Sequence, residues 1–211
     1  MKALISGKVC IQTLQYGFFL YLLQRNNMKR SEKKGHLVDV AIEMFNRYGY
    51  HAVGVDSIIA EAGVAKTTLY RHFETKELLI AAALQKIDEQ FRIDLRQFSA
   101  DASTDPLGQL FASFDFLESW FSTKIFYGCP FIKAAGEYDD TNQIFQEVIL
   151  HKRLIIAYFE ELIRAAGLAN PEQLAEEINL LHEGAVALAQ VTRDASAAQK
   201  AKAVARKILI S

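Results

Sequence analysis

Between residues 36 and 48 the apolar positions are Leu37, Val40, Ala41, Met44 and Phe45, the steps of three and four that put one stripe of a helix into a core. Gly49 follows, a residue free to take the left-handed backbone that ends a helix. Asp56 stands where a side chain can cap a second, short helix carrying Ile58, Ile59 and Ala62, and Gly63 closes it. A third helix opens at Lys66–Thr67 with Leu69, Tyr70 and Phe73. Thr75 can cap a long fourth helix, Lys76 to about Phe98, striped by Leu78, Leu79, Ala82, Leu84 and Ile87.

Ser99 to Asp105 is a polar break, and Pro106 sits where a first-turn proline is tolerated. A helix over about Leu107–Ser122 holds Phe111, Phe114, Phe116, Trp120 and Phe121. Tyr127-Gly128-Cys129-Pro130 reads as a turn, and Phe131–Tyr138 as one or two helical turns. Thr141–Ala166 is a long helix ended by Gly167. Asn170-Pro171-Glu172 is a helix start, with an N-cap, a first-turn proline and an acid suited to the helix dipole. That helix runs to about Thr192, and Ser196–Ile210 forms the last. The expectation is an all-α chain.

Residues 1–27 break this regularity. Val9 to Leu23 is apolar but interrupted by Gln12, Gln15 and Gly17, and no small-residue cleavage site follows it. Met28, with the basic residues Lys29, Arg30, Lys33 and Lys34 behind it, reads as a natural start, so residues 1–27 are expected to be an upstream extension. A helix lying on the body is the alternative.

Composition narrows the class. With 51% hydrophobic residues and 3 prolines in 211, the chain has core enough for one or two domains. No apolar run reaches the roughly 18 residues of a membrane span, so no membrane partner is expected. Cys10 and Cys129 suit a reducing cytoplasm and form no zinc set. The net charge of −1 is uneven: residues 1–27 carry +3, 28–76 carry +2 and 77–211 carry −6. A basic front suits contact with a polyanion. No glycine-rich phosphate loop, nucleophile elbow or paired-carboxylate signature supports an enzyme, and no cofactor is expected.

Two short helices joined at Gly63-Val64 are the core of a helix-turn-helix, locked by Ile58, Ala62, Leu69 and Phe73. The second helix carries a polar set, Lys66, Thr67, Thr68, Tyr70, Arg71 and His72, whose hydroxyls and cations match phosphates and base edges in a major groove. Over residues 37–79 the run LVDVAIEMFNRYGYHAVGVDSIIAEAGVAKTTLYRHFETKELL resembles the DNA-binding domain of TetR-family transcriptional regulators. The resemblance rests on Ala41, Phe45, Gly49-Tyr50, Val55-Asp56-Ser57-Ile58, Ala62-Gly63-Val64, Thr68 to Phe73, and Lys76-Glu77-Leu78. Residues 128–138, GCPFIKAAGEY, are similar to a segment of one branch of that family.

This resemblance implies a helix-turn-helix domain over 28–80 and a helical ligand-binding and dimerisation domain over 81–211. It implies a homodimeric repressor that leaves an inverted-repeat operator on binding a small-molecule effector. By position, Thr68 would reach base or phosphate, Tyr70 and His72 would contact phosphates, and Lys76 would clamp the backbone; Lys66 and Thr67 would tune sequence preference. Ile59 and Thr67 stand where many members have alanine and glycine, so operator identity does not transfer. A regulator with no effector and a ligand-sequestering protein with a vestigial helix-turn-helix stay open.

In the rear, Phe111, Phe114, Trp120, Phe121, Phe131 and Tyr158 could line an apolar cavity for an apolar or aromatic effector, with His151 and His182 orienting a polar end. Packing into a plain core is the alternative. His151, His182, Glu137 and Glu183 show no paired metal-ligand spacing, and Cys129 reads as a buried structural thiol. Leu174, Ile178, Leu181, Ala185 and Leu188, with Val204 and Ile208 of the last helix, form the expected dimerisation seam.

Overall fold

The computed structural model describes residues 30–210, so the extension expected over 1–27 lies outside the described residues. The chain divides into two units, 1–35 and 36–211. The described part of the first is the opening of one helix.

Among the described residues all regular structure is helical: α1 (Arg30–Tyr48), α2 (Val55–Ala62), α3 (Lys66–His72), α4 (Lys76–Ala102), α5 (Pro106–Phe121), α6 (Pro130–Glu137), α7 (Gln143–Ala165), α8 (Pro171–Thr192) and α9 (Ala197–Leu209). The basic stretch expected to precede the first helix is helical from Arg30 onward. Gly49 and Gly63 take positive φ, +89° and +63°, and end α1 and α2 as their lack of a Cβ allows. Thr75 Oγ1 accepts the Leu78 amide at 3.2 Å, and Asp105 accepts that of Gly108 at 2.8 Å.

One expected cap is corrected, and a second, Asn170, holds the expected N-cap position ahead of Pro171 and Glu172 but without a side-chain bond. Gly54, not Asp56, holds the N-cap of α2; Asp56 lies inside the first turn and pairs instead with Lys66. Asn170 has φ +53° and makes no side-chain cap bond, because side-chain capping goes with an extended backbone that this residue lacks.

Two apolar clusters fill unit 36–211. One joins Leu37, Phe45, Tyr50, Ile58, Leu69 and Phe73 through Leu79 and Leu84 of α4 to Phe121, Phe126 and Phe131. The other gathers Leu95, Phe111, Phe114, Tyr158, Phe159, Ile178 and Leu209 from α4, α5, α7, α8 and α9. In this rear bundle α8 packs on α7 and α9, and α5 packs on α4 and α9.

Candidate nucleic-acid interface and rear-bundle site

The helix-turn-helix is built by burying Ile58 and Ala62 of α2 against Leu69 and Phe73. Gly63 turns the chain: its amide bonds Ala60 O and that of Val64 bonds Ile59 O, so the last carbonyls of α2 are satisfied. His36 donates from Nε2 to the Ala62 carbonyl at 3.1 Å, tying α1 to the end of α2. With Leu69 turned inward, α3 presents Lys66, Thr67, Tyr70 and Arg71 to solvent, while Thr68 and His72 are half-buried.

Lys66 donates to Asp56 Oδ1 at 2.9 Å, and that bond raises the lysine pKa. Lys76, in the first turn of α4, is half-buried; burial lowers its pKa, and its Nζ lies 3.5 Å from the His51 carbonyl. The seven residues expected on this face therefore fall on α3 and the first turn of α4, within the chain's basic front. Sequence patterning gave no part here to the link between His51 and Glu137, residues 86 positions apart whose partnership only the fold brings about.

The aromatic residues expected around a rear cavity divide between the two clusters and pack on one another. Phe121, Trp120 and Phe126 meet with centroids 4.9 to 5.8 Å apart, and Phe131 stacks on His151 at 3.7 Å. Phe114 and Phe159 flank His182 at 4.3 and 4.7 Å, and Phe111 lies under Arg206. Tyr158 lies under Arg96. An open cleft of about 250 Å³ between α4 and α7 is lined by Leu84, Gln85, Asp88, Glu89, Arg92, Glu147, Leu150 and His151; of the expected lining residues it includes His151.

Both histidines are buried and held in defined tautomers. His151 Nδ1 donates to Asp88 Oδ1 at 2.7 Å, since a carboxylate can only accept. Burial lowers the His151 pKa against the opposing pull of Asp88; burial would raise Asp88, but its bonds from His151 and Arg92 outweigh that. Ser113 Oγ donates to the Leu110 carbonyl and lies 2.8 Å from His182 Nε2, so the serine accepts the Nε2 proton. Burial, with the Lys152 charge adding, holds the His182 pKa down to about 3, and the ring stays neutral. Cys129 is buried and its thiol pKa raised by burial; Lys152 Nζ lies 3.8 Å from its sulfur and bonds Glu183. Sequence pattern had no means of placing Lys152 there. Among the described residues no group of three His, Cys, Asp or Glu is placed to hold a metal.

The expected dimerisation seam divides. Ile178 and Ala185 are buried inside the chain's own core, and Leu174, Leu181 and Ile208 are half-buried. Leu188 and Val204 are exposed. Leu180 and Val191 join Leu188 on the outer side of α8, at 71%, 82% and 57% exposure, with Gly184 and Ala187 between them also exposed. The apolar stripe that faces outward is thus 180-184-187-188-191, a different line of α8 from the expected one, with Leu188 common to both.

Residues 37–83 match the family described as bacterial regulatory proteins of the tetR family, and residues 106–205 match the tetracyclin repressor-like C-terminal domain. Over 97 residues the chain is 39% identical to the HTH-type transcriptional activator FasR of Mycolicibacterium smegmatis, a stretch covering 44% of each protein, so the match spans less than half of that relative. It is 26% identical to the HTH-type transcriptional regulator LmrA of Bacillus subtilis over 175 residues, 80% of this chain and 92% of LmrA. The crystal structure of SCO4454, a TetR-family transcriptional regulator from Streptomyces coelicolor, superposes with a TM-score of 0.76 at 28% identity, covering 85% of this chain and 95% of that one.

Proposed function

Because the chain belongs to the TetR family of bacterial transcriptional regulators, we propose that it works as a homodimeric repressor that reads an inverted-repeat operator and leaves it on binding a small-molecule effector. The reading head is assigned to residues 28–80 and the ligand-binding and dimerisation domain to 81–211. The observation that carries the proposal is the outward polar side of α3, where Lys66, Thr67, Tyr70 and Arg71 are exposed, with Lys76 opening the next helix along the chain. Lys66, Thr67, Thr68, Tyr70, Arg71 and His72 would enter the major groove or flank it, and Lys76 would neutralise a phosphate. The exposed line of Leu180, Leu188 and Val191, with Val204 on α9, supports a partner helix rather than water, and two heads would then span two half-sites. The site of action would be the cytoplasm, where the DNA is.

Selection of duplexes from a random library by the full chain tests this directly. An enriched inverted repeat is expected, bound with an affinity that falls steeply with salt. Recovery of no sequence, with the protein folded, would overturn the DNA-reading assignment. Placing the operator before a reporter then separates repression from activation, the role that the name of FasR gives that relative. A second reading, regulation without a small-molecule effector, is favoured by one observation: the rear aromatic rings pack on each other and on the two buried histidines. A compound screen for operator release decides between them.

A further inference from the structure

Resting on that DNA-reading assignment, we propose that Glu137 is a positioning residue for the reading head: its carboxylate ties the Gly49–His51 turn to α6 and so sets the half-site spacing that the dimer accepts. The backbone amides of Tyr50 and His51, two consecutive donors just past the end of α1, both point into this one carboxylate. Oε1 accepts from Tyr50 at 2.9 Å and Oε2 accepts from His51. Bonds from amides to an ionised acceptor are about twice as strong as neutral ones, and two on one group fix its direction.

The local backbone is shaped for the contact. Gly49 has φ +89°, and a Cβ there would stand 3.1 Å from Glu137 Oε1. A side chain at position 49 would be strained by the backbone and would press on the carboxylate. Two further hydrogen bonds and one ring contact join the same neighbourhood: Lys133 Nζ donates to the Asn46 carbonyl at 2.7 Å, Tyr50 Oη donates to the Pro130 carbonyl at 3.0 Å, and the His51 ring packs on Tyr138 at 4.8 Å. The Lys133 ammonium thereby satisfies a carbonyl that the last turn of α1 leaves open.

At its other end α6 is anchored in the rear. Phe131 stacks on His151 with the planes 5° apart, and His151 donates to Asp88 of α4. His51 is then held from two sides, by its amide from α6 and by its carbonyl from Lys76, the expected phosphate clamp. The head also packs on α4 through the apolar cluster around Leu79 and Leu84 and through the Lys86–Asp39 pair at 2.6 Å; apolar packing is non-directional, and the carboxylate adds a directional tie from the Gly49–His51 turn to α6. This accounts for the segment 128–138, which the sequence singled out and the DNA face itself does not use.

The test uses the full chain as wild type, Glu137→Gln and Glu137→Ala, with the selected inverted repeat, versions with one base pair added or removed at its centre, and a single half-site. One base pair changes the separation by about 3.4 Å and the rotation by about 34°. The wild type is expected to prefer its selected spacing by about tenfold or more, and Glu137→Ala to keep single half-site affinity while its spacing preference shrinks to within about threefold. Glu137→Gln, which keeps a neutral acceptor, should fall between them and stands in if the alanine variant does not fold. Amide exchange at Tyr50 and His51 should quicken by about tenfold or more in Glu137→Ala, with Leu69 unchanged. Spacing preference or exchange equal to wild type in both variants overturns the assignment of Glu137 while leaving DNA reading intact. A wild-type chain that selects no duplex overturns both.

Discussion

In α3 Lys66, Thr67, Tyr70 and Arg71 face out and Leu69 faces in, whereas α8 in part reverses that order. His182 and Asn179 of α8 are buried, while Leu180, Leu188 and Val191 stand in the open. An exposed row of hydroxyls and cations is stable in water by itself and gains a partner only when a polyanion arrives. An exposed apolar row costs free energy until another apolar surface covers it, by roughly 25 cal/mol for each Å² removed from water. On the proposed reading the two helices would serve partnerships of different permanence, a salt-sensitive one at the head and a standing one at the rear.

The harshest way to break this contrast is to charge the outer line of α8. Leu180→Glu with Leu188→Glu should give monomers by sedimentation velocity and weaken operator binding by about a hundredfold or more, because a monomer holds one half-site. A wild-type chain that sediments as a monomer at micromolar concentration would remove the standing partnership. Next in size is the rear core: Phe114→Ala, at a fully buried ring against His182, should cost about 3–5 kcal/mol in denaturant unfolding. Tyr70→Ala on the outer side of α3 should stay within about half a kcal/mol in the same measurement.

A smaller effect sharpens the comparison through pH. The folded pKa of His182 lies near 3, below its ordinary value of 6.5, so the unfolded chain binds the proton more readily in acid. The contribution of His182 is complete above about pH 6.5 and declines as pH falls toward 3, by up to about 1.4 kcal/mol per pH unit. His182→Phe should flatten that decline in melting experiments; an unchanged acid limb would show that the ring is not held neutral. Smallest of all is the head's own signature. Lys76→Ala should make the salt dependence of operator binding shallower by about one unit, while Tyr70→Ala, which removes no charge, should weaken binding and leave that slope unchanged, both with circular dichroism unchanged.

The elements were legible where one residue type governs the backbone. Gly49 and Gly63 end their helices because each takes positive φ, and Thr75 caps because a hydroxyl there has an amide within reach; the Asp105 cap was not legible in the sequence. Asp56 misled because Gly54 could begin α2 equally well and Lys66, ten residues on, offered the carboxylate an ion pair. The α8 seam misled for a deeper reason. That helix is apolar on two sides, and periodicity gives the spacing of a stripe without saying whether its own bundle or a partner covers it. Ile178 and Ala185 went inward, and Leu180 and Val191 came out. The partnership of Glu137 with Tyr50 was out of reach altogether, since nothing local marks a pair 87 residues apart.

The chain has a single tryptophan, and its position gives it a use outside regulation. Trp120 is half-buried near the end of α5, with Phe91 of α4 5.7 Å away and Phe126, from the loop before α6, 5.0 Å away. Its indole therefore samples the polarity of one defined junction, where the long helix, α5 and the approach to α6 meet. Emission excited at the red edge of the tyrosine band would come from that junction alone. The protein carries its own fluorescent reporter, and shifts in its spectrum can be followed without attaching a dye to the buried Cys129.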